Sequence, residues 1–135
     1  MIILPCDIND AQFIYDCRYD PVSNANSTIQ TIPTFDEHKN WFEKKLNDPS
    51  FRYYKGRVVN SDVAFVRFVD NDEGIEVSIC THPKFRRLGF AKEALYKAIK
   101  IRGEFDKMYS TIKIQNLASY KTFAFVSKRL YEEPK

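Results

Sequence analysis

Histidine is scarce. The chain has two, and no CxxC or HExxH spacing anywhere, which removes the usual ligand sets of a metal centre. Cysteine is rare and odd in number. Cys6, Cys17 and Cys80 lie in apolar or mixed segments, which argues against a disulfide framework and for a reduced, cytoplasmic protein. No apolar run approaches the ~20 residues of a membrane-crossing helix. The opening MIILPCDIND has neither a basic start nor a long apolar core, so it does not read as a secretory signal. No block of like charge occurs: 21 basic and 18 acidic side chains are dispersed for a formal net charge of +3. That pattern gives no support to a nucleic-acid-binding stripe. What is present is apolar: 44% hydrophobic and 15% aromatic residues in 135 suffice for a packed interior. The length fits one domain over residues 1–135, without room for a second core.

Residues 2–4 form a short apolar strand closed by Pro5. Ala11, Ile14, Tyr15 and Arg18 predict a helix that ends before Asp20-Pro21. Residues 21–33, rich in Ser, Asn and Thr, read as a loop. Thr34 with Glu37 three positions on is a capping box and opens a helix through Leu46. Three strands follow, at 51–59, 63–69 and 75–81, the second alternating Val63, Phe65, Arg67 and Val69 against Ala64, Val66 and Phe68. Asn60-Ser61 and the run 70–74 are the turns between them. Residues 89–101 predict an amphipathic helix with Gly103 past its end. A strand at 108–114, a helix at 116–128 and a short final strand at Leu130-Tyr131 complete the chain. The order is that of an α+β fold with a mixed, mostly antiparallel sheet flanked by helices.

The segment ICTHPKFRRLGFA, residues 79–91, carries the chemistry. A strand ends at a proline, a basic turn follows, and Gly89 opens a helix whose unpaired N–H groups and dipole make an anion site. Gly89 admits a phosphate close to the backbone, and Arg86 and Arg87 add charge. The segment lacks the glycines of a nucleoside-triphosphate loop.

Arg86-Arg87-Leu88-Gly89-Phe90-Ala91 resembles the Q/R-x-x-G-x-G/A motif of GNAT N-acetyltransferases. It follows a strand and His82-Pro83, as in that family. Downstream, Asn116-Leu117-Ala118-Ser119 resembles a second family element. The resemblance implies the GNAT fold with acetyl-CoA as cosubstrate and no metal. Its diphosphate would lie on the amides of 86–91, and its pantetheine arm on the main chain of Ile79, Cys80 and Thr81. Asn116, Ser119 and Phe123 complete the implied cofactor contacts. The fourth-strand backbone would stabilise the thioester oxyanion while an amine attacks directly in a ternary complex. The family's last strand is reduced to Leu130-Tyr131 or missing, leaving an edge that a homodimer or a partner would cover.

The N-terminal half narrows the acceptor. Arg18, Asn26-Ser27, Ile29 and the run His38-Lys39-Asn40-Trp41-Phe42, with Val66-Arg67-Phe68 and Ser78-Ile79, resemble the branch that acetylates nucleotide-linked amino sugars in pseudaminic and legionaminic acid pathways. Arg18, Asn26, His38, Trp41 and Arg67 are its implied substrate contacts, with residues 18–32 as the acceptor wall. Trp41 and Phe42 read equally as core residues, His38 more as a structural histidine than a base, and Arg67 must find a sugar phosphate or a carboxylate.

Two positions depart from the family. Where relatives have a tyrosine that protonates the thiolate stands Phe123, and where peptide-acetylating relatives have a glutamate stands Thr111. A thiolate of ordinary pKa ~8.5 depends on acid help less than an alkoxide does, and Tyr120, one turn earlier, is placed to supply it. Glu76 and Ser78 share a strand face and are the candidates for proton removal; Glu76 reads equally as a partner of Arg67 across the hairpin. Cys80 is not expected to carry an acetyl group. A peptide N-terminus as acceptor, or a catalytically weak CoA-binding module, are the rival readings.

Overall fold

Strand β3 (Ser61–Asn71) sorts the molecule into layers through its alternation. In the computed structural model, which describes residues 1–27, 31–103 and 107–134, β3 lies at the centre of a five-stranded sheet. The others are β1 (Ile2–Pro5), β2 (Phe51–Val58), β4 (Gly74–Thr81) and β5 (Met108–Tyr109), in spatial order β1-β2-β3-β4-β5. The first three pairings are antiparallel, and β4 with β5 is parallel. The helices are α1 (Ala11–Arg18), α2 (Pro21–Ala25), α3 (Phe35–Leu46), α4 (Phe90–Arg102) and α5 (Leu117–Glu132).

On one face, Val66, Phe68 and Val77 pack with Leu95 and Ala98 of α4 and Val126 of α5. On the other, Phe65 and Tyr53 meet Ile14 and Cys17 of α1 and Phe42 of α3. Phe68, Leu95 and Phe42 are fully buried, each contributing about 1.5–3 kcal/mol of burial. The expected α+β architecture with helices on both faces is what forms.

Thr34 and Glu37 make the reciprocal capping box at α3: Glu37 N–H donates to Thr34 Oγ1, and Thr34 N–H to Glu37 Oε1. At the β3–β4 hairpin, Gly74 has φ +132°, and a Cβ there would come within 2.3 Å of the Lys107 carbonyl. Only glycine lets the chain entering β5 come so close.

Four expectations on secondary structure change. Residues 21–33 are not all loop: Asp20 caps α2 by accepting from the N–H groups of Val22 and Ser23, with Pro21 at the first helical position. Residues 28–30, including Ile29, lie outside the described residues. The strand at 108–114 pairs only at Met108 and Tyr109, because the chain turns toward α5 instead of following β4. The helix expected to end at 128 runs to Glu132, so Leu130 and Tyr131 are helical instead of a last strand; Leu130 is buried against the α4 face, which draws the helix onward.

Candidate active site

β4 and β5 pair at Ile75–Met108 and Glu76–Tyr109 and then separate. From residue 77 to 81 the β5-side edge of β4 has no strand beside it among the described residues. The two faces of β4 differ. Val77 and Ile79 pack with the α4 side, and Cys80 with the α1–α3 side, so the period of two places Glu76 and Ser78 with Cys80.

Beyond β4, residues Pro83–Phe85 make one 3-10 turn whose first amide is capped by His82: Lys84 N–H donates to His82 Nδ1 at 3.2 Å. The His82 ring also stacks on Phe13 and is half-buried. Arg87 has φ +64° and Gly89 φ +80°, both left-handed. Two such residues before a helix turn successive N–H groups toward one concavity, and the first amides of α4 have no partners within the helix. An added Cβ at Gly89 would meet no atom within 4 Å: the space over the helix start is open. Arg87 and Leu88 are exposed, while Phe90 packs on Phe85. These residues fit a diphosphate.

Arg86 behaves differently from the expectation. Its Nη2 pairs with Asp20 Oδ2 at 2.7 Å and donates to Ser23 Oγ at 2.8 Å. With a carboxylate bound to it, the guanidinium brings no net charge to the loop. Burial raises the Asp20 carboxyl, but the bond and charge of Arg86 and the amides of Ser23 and Val22 outweigh it and hold the group below its usual value.

Asn116 caps α5, its Oδ1 accepting from Ser119 N–H at 3.2 Å. The side-chain oxygen of Asn116 and the Ser119 amide are therefore engaged with each other. Phe123 is half-buried against the α4 core, and Tyr120 is 63% exposed one turn earlier.

On the α1–α3 face, Arg67 sits opposite Ser78, and its Nη2 donates to Ser78 Oγ at 3.4 Å. It makes no ion pair with Glu76; Glu76 lies opposite Val69 and takes a hydrogen bond from Thr111 Oγ1 at 3.4 Å. The expected cross-hairpin pair fails because the register puts a serine there. Arg67 Nε and the Tyr53 hydroxyl are buried without a hydrogen-bond partner. Burial pushes the Tyr53 hydroxyl up, partly offset by the Arg67 charge beside it. Arg18 stacks over Tyr19 at 5.3 Å. Tyr53 is a site residue the sequence reading missed, since a tyrosine within a strand carries no signal beyond burial.

Three implied acceptor contacts move elsewhere. His38 is 2% exposed, stacked on Phe42, with Nε2 donating to the Ala11 carbonyl at 3.1 Å. Burial lowers its pKa, the bond to Ala11 raises it, and the Arg18 charge lowers it further, for a net fall. It is a structural histidine. Trp41 packs edge-on to Phe51 under Lys45, on the outside of α3. Asn26 Nδ2 donates to Val22 O and closes α2. Cys80 donates to the Cys17 carbonyl at 3.1 Å; burial drives its thiol up, and the Ser23 bond and the charges of Arg18 and Arg86 do not offset it. A neutral thiol is no nucleophile. Among the described residues, no three His, Cys, Asp or Glu gather where a metal ion would sit, and no helix is long and apolar enough to cross a membrane.

The sheet opens beside its fourth strand, and the loop and helix start that follow it suit the phosphates of a nucleotide-bearing donor. The model of the acetyltransferase (GNAT) family matches residues 15–125, and the chain belongs to that family; it is an acetyl-CoA-dependent N-acetyltransferase. No curated protein sequence matches it. Among solved structures, an N-acetyltransferase from Staphylococcus aureus Mu50 is 21% identical with a TM-score of 0.75, covering 93% of this chain and 81% of that one. A putative acetyltransferase from Salmonella typhimurium, solved with acetyl-CoA, is 20% identical with a TM-score of 0.77 over 93% and 78%. The spermidine N-acetyltransferase of Vibrio cholerae, solved with CoA and spermine, is 15% identical with a TM-score of 0.81 over 93% and 78%. At these identities the likeness is one of fold.

Proposed function

We propose that this enzyme acetylates the primary amine of a small acceptor, the amino group of a nucleotide-activated amino-deoxysugar. The observation that carries the acceptor class is charge: Arg67 is half-buried on the sheet face shared with Glu76, Ser78 and Cys80, and no carboxylate pairs with it among the described residues. A cation held out of water without a counter-ion favours an anionic ligand. Arg18, whose charge is felt at both Cys80 and His38, adds to the same field.

Acetyl-CoA supplies the acyl group. The amides of residues 86–91 would hold its diphosphate, and the bare edge of β4 at Ile79, Cys80 and Thr81 would hold the pantetheine arm and polarise the thioester carbonyl. Glu76, with Ser78 between it and Arg67 on the same face, takes the amine proton. Thr111 Oγ1 donates to the Glu76 carboxylate, so the acid lies beside the position where peptide-acetylating relatives carry theirs. Tyr120 returns a proton to the departing thiolate. Two copies paired over the short β5 edge belong to the same reading; light scattering distinguishes dimer from monomer.

A polyamine acceptor is the second reading. It is favoured by the carboxylates of Asp16 and Asp20 in an open cleft of about 480 Å³ that Lys84 also lines, and by the spermine in the Vibrio cholerae structure. Thiol release from acetyl-CoA, measured with UDP-linked 4-amino sugars, polyamines and peptides side by side, decides. Turnover confined to the nucleotide sugar supports the proposal; turnover of spermidine or peptides alone overturns its acceptor. CoA binding without turnover on any amine leaves a binding module.

A further inference from the structure

Helix α2 has five residues, none of them buried, and Val22 on it is 58% exposed. One and a half turns have no stability of their own in water, so polar ties must hold it where it is. Asp20 Oδ2 receives the Val22 amide at 3.0 Å and the Ser23 amide at 3.4 Å, and the same oxygen receives Arg86 Nη2 at 2.7 Å. Ser23 Oγ takes a second bond from Arg86 and lies 3.4 Å from Cys80 Sγ. At the other end, Lys113 Nζ donates to the Ala25 carbonyl at 3.1 Å. Arg86 comes from the loop after β4 and Lys113 from the chain after β5. The short helix therefore bridges the two sides of the opening between those strands.

We propose that Arg86 is a positioning residue: it transmits occupancy of the 86–91 loop to α2, so that CoA binding fixes one wall of the acceptor site. The idea rests on the acetyl-CoA assignment of that loop. It separates the two arginines of the motif. Arg87, exposed and left-handed, is left for the anion, and Arg86 is engaged with Asp20. Fixing the loop reduces the freedom of the Asp20–Arg86 pair, and with it that of a helix that has no buried residue of its own. By linkage, the amine and the cofactor strengthen each other's binding by the same factor, within the usual span of about 5- to 150-fold.

The test is amide hydrogen exchange over residues 20–26, read with and without saturating CoA, beside calorimetry of CoA binding. In the unaltered protein CoA slows exchange in this segment at least about fivefold. In Arg86→Gln, CoA binds within about threefold of normal, but the slowing is lost. Arg86→Lys, which keeps the charge opposite Asp20, recovers part of it, and Asp20→Asn repeats the loss from the other side. The proposal is overturned if Arg86→Gln weakens CoA tenfold or more while protection at saturating CoA persists; Arg86 is then a diphosphate ligand. It is overturned too if CoA binds the unaltered protein without slowing exchange at 20–26. Absence of CoA binding to the unaltered protein is a different result: it removes the cofactor assignment, and this inference with it.

Discussion

Thr111 Oγ1 donates to Glu76 Oε2 across 3.4 Å, joining the last β4 residue that pairs with β5 to the chain just past β5. The carboxylate thus stands at the mouth of the strand opening, next to a hydroxyl that orients it. Glu76→Gln is expected to lower kcat by about 10²–10⁴, the range for a lost general base, with CoA affinity unchanged by calorimetry. Thr111→Ala, which removes only the orienting bond, should cost less than tenfold. Equal kcat in Glu76→Gln and the parent would remove Glu76 from the chemistry.

Tyr120 and Phe123 lie one turn apart on α5, the first 63% exposed and the second packed into the α4 side. If Tyr120 returns the proton, Tyr120→Phe lowers kcat by about 10²-fold or more, and Phe123→Tyr gains less than tenfold over the parent. A larger gain at 123 would show that the hydroxyl belongs there and that Tyr120 is no substitute.

Gly74 and Gly89 are both left-handed, yet alanine should act differently at each. At Gly89 nothing lies within 4 Å of the added carbon, so the fold loses only the backbone strain, about 1–2 kcal/mol. Calorimetry should find CoA affinity reduced more than tenfold, because the methyl fills the cradle. At Gly74 the carbon would lie 2.3 Å from the Lys107 carbonyl; Gly74→Ala is expected to lower the melting temperature far more. Similar melting temperatures for the two variants would contradict this geometry.

His38 gives a pH signature. Its folded pKa is below the ordinary histidine value, chiefly through burial. Below about pH 6.5 the unfolded chain takes up a proton that the folded one resists. Stability is therefore full above that pH and declines as pH falls through the unfolded value toward the folded one, by at most about 1.4 kcal/mol per pH unit. Urea titrations at pH 7 and pH 5.5 should show the decline in the parent. It should be absent in His38→Phe, which is less stable at pH 7 through loss of the bond to Ala11. An unchanged slope would place the titration elsewhere.

Features built from neighbours in sequence were legible. The capping box at Thr34 and Glu37, the alternation of β3 and the helix opened by Gly89 each depend on a few consecutive residues, and each is in place. Helix α2 had its signal too, since Asp20-Pro21 is a cap followed by a first-turn proline. The polar composition of 21–33 obscured it. What depended on distant partners was not readable. The register that sets Ser78 instead of Glu76 opposite Arg67, the attachment of Arg86 to Asp20, and the early end of β5 all arise from residues far apart in the chain.

The brevity of β5 has a thermodynamic consequence. A sheet normally satisfies its amides from within, but here one seam is open, and on the proposed reading an extended molecule carrying its own amides would complete the hydrogen bonding that the polypeptide omits. Such a guest would work as a detachable strand, making loading and rigidity one equilibrium. At a concentration one hundred times its dissociation constant it would add about 2.7 kcal/mol to the unfolding free energy, leaving the empty protein the softer of the two.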